Sequence, residues 1–278
     1  MPVETAAFQH RLRTFAGERV VFEDPAALGE RELARLSASR VLFVYTHALD
    51  GFVEHVWPRL EGDGYVLITH NSDDVVNDAR AAWIDRTGTK LRRWFAQNAL
   101  ASHPKLVPLP IGIANSMWRH GNLRALDRAV VCHAGEPKRK LLFVQFDPST
   151  HPERRAALGA VSAAFPDRRF RPYERRRFRS YLSELAAHRF CLCPRGNGVD
   201  THRFWESQYL DVIPVVRRSA GAEHWQASGL PVLIVDDWAE VTPARLDAEA
   251  ARPAGGARSR EPLLLSYYAR LVGEALGD

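Results

Sequence analysis

Short apolar runs that alternate with amphipathic stretches are the feature that most constrains how this chain can fold. Runs such as Val41–Tyr45, Tyr65–Thr69 and Leu141–Phe146 are rich in β-branched and aromatic residues and contain no Gly or Pro. The stretches between them space their apolar residues as helices do. Strands that alternate with helices predict an α/β fold with parallel sheets.

Two stretches between the first strands have apolar residues at helical spacing. In Asp50–Leu60 these residues fall one, three and four positions apart. Thr89–Ala99 shows similar spacing at Leu91, Trp94 and Phe95. This spacing predicts a helix in each stretch.

A polar and turn-rich segment near 125–138 separates two α/β halves. We therefore predict an N-terminal domain over 1–130 and a C-terminal domain over 131–260, followed by a helix within 261–278. The apolar runs are far shorter than the roughly 18–20 residues of a membrane span. Because the first residues also lack the pattern of a signal peptide, we expect a cytoplasmic protein.

The charge balance is basic, with 38 Lys plus Arg against 33 Asp plus Glu and a net charge of +5. Such a balance permits nucleic acid, anionic membrane or phosphorylated small molecules as partners, without choosing among them. Seven arginines and three aromatic residues share the stretch Arg168–Arg179. This stretch suits single-stranded nucleic acid, an anionic lipid surface or a solvated connector.

The three cysteines are Cys132, Cys191 and Cys193. The last two form a C-x-C pair, and no second pair completes a zinc site. We expect reduced thiols, most of them buried.

The most informative segment runs from a strand through a glycine turn into a helix, over Phe190–Glu206. Gly196 and Gly198 are expected to allow positive φ and the close approach of a ligand. The N–H groups at the start of the helix, flanked by Arg195 and Arg203, predict a phosphate site. The residues expected to bind a nucleotide diphosphate are Arg195, Gly196, Asn197, Gly198, Thr201, His202, Arg203 and Glu206, the last through ribose hydroxyls.

Structural explanations for the same residues stay open at this point. The arginines also fit a surface that binds no ligand, and Glu206 also fits a salt bridge within its helix. Asn197, Thr201 and His202 have the residue types of turns and helix caps.

The segments Pro194–Gly198, Thr201–Arg203 with Glu206, Ile213–Val216 and Leu230–Trp238 together resemble the carboxyl-terminal motif of exostosin-like glycosyltransferases. The resemblance covers roughly 185–245. It departs at Asp211-Val212, where that family often has Gly-Cys.

This resemblance implies a GT-B-like α/β fold: two Rossmann-like domains with a cleft between them, and the nucleotide-sugar donor in the C-terminal domain. It also implies transfer with inversion to a hydroxyl of a glycan or other acceptor, and a final helix that packs back on the first domain. No D-x-D motif is present, so we expect no metal cofactor.

An inverting transfer needs a general base for the acceptor hydroxyl. The candidates are Asp73, His47 and His70, which follow the strands Tyr65–Thr69 and Arg40–Tyr45. Parallel strands bring such turns to the edge where ligands bind.

The sequence thus predicts a metal-independent glycosyltransferase, with peripheral membrane contact possible and no nucleic-acid partner expected. Two alternatives stay open. One is a non-catalytic nucleotide- or carbohydrate-binding protein, and the other is a nucleic-acid-binding protein that uses Arg168–Arg179. A P-loop phosphotransferase is disfavoured because the chain has no G-x-x-x-x-G-K-[ST] loop.

Overall fold

The computed structural model describes residues 28–118, 120–170, 177–252 and 259–277. These residues form two four-stranded parallel sheets and ten helices, which confirms the predicted α/β class. The stretch Arg168–Arg179 lies partly outside the described residues, because 171–176 are among those not described. The described chain divides into two compact units.

The first unit contains the described residues up to Ile111 and those from Leu264 onward. Its strands pair in the order of the sequence, β1-β2-β3-β4, and all pairs are parallel. The strands are β1 Val41–Tyr45, β2 Tyr65–His70, β3 Leu91–Gln97 and β4 Leu106–Leu109; the helices are α1 Glu30–Ala38, α2 Leu49–Gly51, α3 Asp78–Ala81 and α10 Leu265–Leu276.

The helix predicted over Thr89–Ala99 is wrong, because this segment is the strand β3. It lies between β2 and β4, with Leu67 opposite Trp94 and Trp94 opposite Leu106. The last four residues of β3 are all buried. A strand buried on both faces has no alternation of polar and apolar residues, so its pattern can coincide with helical spacing.

The segment Asp50–Leu60, predicted to be a helix, is helical in the structure, but its turns are irregular. α2 passes into a π-helical turn at Phe52–Val56 and a 3₁₀ turn at Trp57–Arg59. Pro58 lies in the last of these turns, where its ring cannot continue a regular helix.

The carboxyl-terminal helix α10 belongs to the first unit, where it packs on β2. Its end is tied to the sheet because Arg40 and Arg92 both donate to the carbonyl oxygen of Leu276, at 2.7 and 3.1 Å. Gly277 ends the helix in the left-handed conformation, with φ of 84°.

The second unit covers the described residues between Gly112 and Leu263. Its sheet also has sequential order, β5-β6-β7-β8, with parallel pairing throughout. The strands are β5 Lys140–Phe143, β6 His188–Leu192, β7 Ile213–Arg217 and β8 Leu233–Val235; the helices are α4 Leu123–His133, α5 Pro152–Ala164, α6 Phe178–Ala186, α7 His202–Tyr209, α8 Ala220–Ala227 and α9 Pro243–Ala251.

The boundary between the units lies at Ile111–Gly112, which corrects the predicted position near 130. The reason is helix α4, which packs against α6 of the second unit. Sequence composition located the polar turns after α4 but not the helix packing that assigns α4 to this unit.

Neither sheet reverses its strand order within the described residues. Parallel pairing therefore places all carboxyl ends of a sheet at one edge, where the strand-to-helix turns gather. Among the described helices, none has both the length and the apolar composition needed to cross a bilayer.

Trp94 joins β3 to β2 through a buried hydrogen bond. Its indole Nε1 donates to Thr69 Oγ1 at 2.9 Å, and both side chains are fully buried. Its ring also makes an edge contact with Trp83.

We expect Thr69→Val to destabilise the first unit by about 1–3 kcal/mol, because it leaves the buried Trp94 N–H without this acceptor. The urea midpoint should fall at an unchanged slope. The control Thr89→Val changes an exposed threonine and should stay within about 0.5 kcal/mol of the parent. Equal midpoints for both variants would show that the bond does not contribute to stability.

Candidate functional site

The turn that follows β6 is fixed by a carboxylate at the start of α7. Asp200 accepts hydrogen bonds from the Thr201 backbone N–H at 2.8 Å and from Trp205 Nε1 at 2.8 and 3.0 Å. Trp205 is fully buried. The indole therefore anchors the carboxylate, and the carboxylate holds the chain where it enters the helix.

Arg154, in the first turn of α5, ties this turn to the loop after β5. Its Nε donates to the Arg195 carbonyl at 3.0 Å. Its Nη1 donates to the Asp147 carbonyl at 3.2 Å and to Thr150 Oγ1 at 3.1 Å. The half-buried guanidinium thus bridges the carboxyl ends of two neighbouring strands.

Gly196 lies at a close approach of Arg154 and has no positive φ. A Cβ at Gly196 would lie 2.9 Å from Arg154 Nη2. Neither Gly196 nor Gly198 has a positive φ, which corrects that part of the sequence interpretation. The space that a side chain would fill is taken by a guanidinium.

Arg154 and Arg203 lie against the same aromatic ring. Each guanidinium carbon is 5.8 Å from the centre of the Phe146 ring. Burial and the positive charge of Arg203 lower the pKa of Arg154 to about 10. The two like charges are therefore held together by packing and backbone hydrogen bonds against their mutual repulsion.

No carboxylate of the described residues lies within 4 Å of these charges. Among the described residues, none of Arg154, Arg195 and Arg203 forms an ion pair, although all three are half-buried. In the same part of the chain, the buried Nε of Arg203 has no hydrogen-bond partner. Half-buried cations usually have such partners, so the cluster suits an incoming anion that can accept several N–H bonds.

Glu206 lies below this cluster in the interior of the unit. It is 4% exposed, and its Oε2 accepts from the Tyr181 hydroxyl at 2.7 Å. Burial raises the pKa of Glu206, and the hydroxyl and the charge of Arg203 limit that rise. The carboxylate forms no ion pair within 4 Å with Arg203, so the salt bridge considered from sequence is absent between these two described residues.

The other predicted donor-binding residues lie in the turn after β6 and at the start of α7. Arg195 Nη2 donates to the Asn197 carbonyl at 2.8 Å. Thr201 occupies the N-cap of α7 without a side-chain cap bond. His202 Nδ1 lies 2.7 Å from the Gly112 carbonyl. Asn197 is exposed and Gly198 is buried.

Two thiols lie near the arginine cluster. Cys191 and Cys193 are buried, not disulfide-bonded, and separated by 3.7 Å between their sulfur atoms. Burial raises the pKa of the Cys193 thiol well above its usual range. Cys132, in contrast, is exposed.

In the first unit, the three candidate bases differ in exposure. Asp73 and His47 are exposed, and the His47 ring stacks on Tyr45 with centroids 5.5 Å apart. His70 is fully buried, and its Nε2 lies 3.0 Å from the Pro110 carbonyl. Only Asp73 and His47 are therefore accessible to a substrate.

The turn that bears Asp73 is held in a defined conformation. Asn71 has a φ of 62°, and its N–H donates to Gln97 Oε1 at 2.8 Å. Asn98, with a φ of 56°, donates from Nδ2 to the Ser72 carbonyl at 3.0 Å. Left-handed non-glycine residues cost energy, so this turn is held in place by its surroundings.

Sequence reasoning missed Arg154 and Tyr181 as members of the site. Arg154 had a detectable signal, since a basic residue in the first turn of a helix opposes the helix dipole and needs another cause. Tyr181 had none, because only the fold brings α6 next to α7.

Among the described residues, no group of three or more His, Cys, Asp or Glu side chains is placed to hold a metal ion. No protein-family model matches this chain, and no curated protein matches it. The interpretation of the site therefore depends on its own geometry and on the sequence resemblance.

The raised pKa of Glu206 makes a pH-dependent contribution to stability. Burial favours the protonated carboxyl, so this contribution is complete below the ordinary pKa of 4.5 and is lost as the pH rises through the raised value. Glu206→Gln removes the charge and keeps an acceptor for Tyr181.

We expect Glu206→Gln to unfold at a higher temperature than the parent at pH 8, with little difference at pH 4.5. Thermal unfolding at both pH values measures this. Glu223→Gln, at a side chain that is 53% exposed, is the matched control and should show no such pH dependence. If Glu206→Gln differed from the parent in Tm by the same amount at both pH values, the raised pKa of Glu206 would be contradicted.

Proposed function

We propose that this chain is a glycosyltransferase that transfers a sugar from a nucleotide-diphosphate sugar to a hydroxyl of a glycan or other acceptor. The observation that supports it most is the pair Arg154 and Arg203, whose guanidinium groups share the Phe146 ring, with Arg195 on the turn that Arg154 contacts. These arginines have no carboxylate partner within 4 Å among the described residues, and they lie where two helices begin at a sheet's carboxyl edge. A diphosphate supplies the negative charge and the acceptor oxygens that such a cluster needs.

The proposed chemistry is a displacement at the anomeric carbon. The acceptor oxygen forms the new bond to that carbon while a base takes its proton. The bond between the sugar and the terminal phosphate breaks, and its electron pair leaves with the nucleoside diphosphate. Fixed positive groups stabilise the charge that develops on this leaving group, and we assign that role to Arg154 and Arg203.

The division of roles between the units follows the GT-B pattern that the resemblance implies. The second unit binds the donor, and the first unit supplies the acceptor side and the base. Asp73 is the preferred base and His47 the second choice, since both are exposed on turns after strands. A cytoplasmic location and peripheral membrane contact stay predictions from the sequence.

Donor binding is tested by thermal unfolding with UDP, GDP, CDP, ADP and TDP, without metal and then with Mg²⁺ or Mn²⁺. A ligand at ~100 times its Kd adds about 2.7 kcal/mol of stability, which gives a clear shift in Tm. We expect one base to stand out without metal. Arg154→Met and Arg203→Met should each weaken binding by roughly 10–100-fold, because each removes charged hydrogen bonds.

The matched control is Arg155→Met, which changes the exposed neighbour of Arg154 in the same helical turn and should leave the shift intact. Arg154→Lys keeps the charge and separates loss of charge from loss of the bridge between loops. If none of the five nucleotides shifts the Tm of the parent, the proposed donor site is wrong.

Turnover is tested by the release of nucleoside diphosphate from the sugar nucleotide that binds, in the presence of candidate acceptors. Removal of a general base typically lowers the rate by 10²–10⁴-fold, so we expect this loss for Asp73→Asn. Asp78→Asn, at an exposed carboxylate of α3, should retain the parent rate.

Binding that survives with no turnover would favour the non-catalytic nucleotide- or carbohydrate-binding protein. A normal rate for Asp73→Asn with a loss for His47→Ala would assign the base to His47.

A further inference from the structure

An exposed tryptophan lies near the start of α7, the helix that bears Arg203, within the second unit. Trp118 is 58% exposed, although large apolar side chains are usually covered. Its ring stacks on His120 with centroids 6.3 Å apart and an angle of 19° between the planes. The His120 ring in turn lies 6.0 Å from the ring of His202, the residue immediately before Arg203. The three rings thus lead from the solvent to the start of α7, the helix that bears Arg203, and the charge of Arg203 lowers the pKa of His120.

The backbone under Trp118 is closed by two hydrogen bonds. The Trp118 N–H donates to the Asn115 carbonyl, and the Gly121 N–H donates to the Trp118 carbonyl, each at 2.9 Å. A Cβ at Gly121 would lie 1.8 Å from the Asn115 carbonyl oxygen, so the loop closes this tightly only with glycine there. The exposed indole is therefore carried by a defined turn.

The ring that stacks on Trp118 belongs to His120, which lies within reach of the positive charge of Arg203. Burial and the positive charge of Arg203 both lower the pKa of His120. Stacking on His120 covers one face of the indole, and the Trp118 side chain is 58% exposed, so electron-rich aromatic surface remains open to solvent. Such a face attracts the weakly positive C–H groups on one side of a sugar ring.

We propose that Trp118, supported by His120, is the platform for the sugar ring of the donor whose diphosphate binds at Arg203. This inference rests on the proposed function and adds the position of the transferred group. The sugar is bonded directly to the terminal phosphate, whereas the nucleobase is separated from it by a second phosphate and the ribose. A short stack that begins beside Arg203 therefore suits the sugar. Contact on one face also leaves the anomeric carbon accessible to an acceptor.

The seven tryptophans provide a direct readout. Trp118 is the exposed one, and the other six are between 0% and 7% exposed: Trp57, Trp83, Trp94, Trp205, Trp225 and Trp238. Acrylamide, a neutral quencher, therefore reaches Trp118 far more readily than the rest. Trp118→Phe should remove most of the quenchable fluorescence, which establishes the assignment of the signal.

The experiment compares each nucleoside diphosphate with its sugar conjugates. UDP is compared with UDP-glucose, UDP-galactose, UDP-N-acetylglucosamine and UDP-glucuronic acid, and GDP with GDP-mannose and GDP-fucose. We expect at least one conjugate to protect Trp118 from acrylamide while its parent diphosphate does not. Trp118→Ala should weaken binding of that conjugate by about tenfold and leave binding of the diphosphate unchanged.

The matched control is Met117→Ala, which changes the neighbouring side chain, 80% exposed, and should leave both affinities unchanged. Protection by UDP or GDP alone, equal to that by the conjugates, would place the nucleobase on Trp118 and overturn the sugar assignment. Binding of a conjugate without protection of Trp118 would also overturn it. If no diphosphate and no conjugate binds, the proposed function fails and this inference fails with it.

Discussion

Parallel pairing is the constraint on which the rest of this structure depends. All strands of each sheet run in one direction, so each sheet gathers its strand-to-helix turns at a single edge. The polar residues at the ends of β1 and β2 in the first unit, and of β5 and β6 in the second, are brought together by this rule.

The arginine cluster shows the conflict between stability and binding that such an edge allows. Arg154 at the start of α5 and Arg203 at the start of α7 are held against one ring, and their repulsion is evident in the lowered pKa of Arg154. A protein selected only for stability would place a carboxylate within reach or replace one arginine by an apolar residue. The proposed diphosphate would compensate the retained charges.

The buried pair of Glu206 and Tyr181 gives a second layer below the cluster. Their hydrogen bond fixes α6 against α7, and the carboxylate provides negative potential below Arg203 without contacting it. In the described state Glu206 is enclosed and hydrogen-bonded, which is an unfavourable position for direct contact with a ribose. Its hydrogen bond to Tyr181 orients the helix that bears Arg203, and the ribose role remains a prediction from the sequence.

The sequence allowed the α/β class and most strands and helices to be predicted, because short apolar runs and capped amphipathic stretches are local signals. It failed at β3, where burial on both faces removed the alternation that distinguishes a strand. It also failed at the unit boundary and at Tyr181, since both depend on packing between distant helices. The positive φ expected at Gly196 was wrong, and the structure shows the close approach of Arg154 there instead. Whether the predicted residues bind a donor stays a prediction.

The position of α10 has a consequence for how the chain is made. The ribosome adds residues from the amino end, so Gly112–Leu263 is synthesised in full before Leu265–Leu276 exists. The second unit can therefore fold during translation as an uninterrupted segment. The part of β2 that α10 contacts stays uncovered until that helix is made, and the bonds from Arg40 and Arg92 to Leu276 cannot form before then. The first unit is thus most exposed to misfolding and to chaperone binding during the interval before α10 is synthesised.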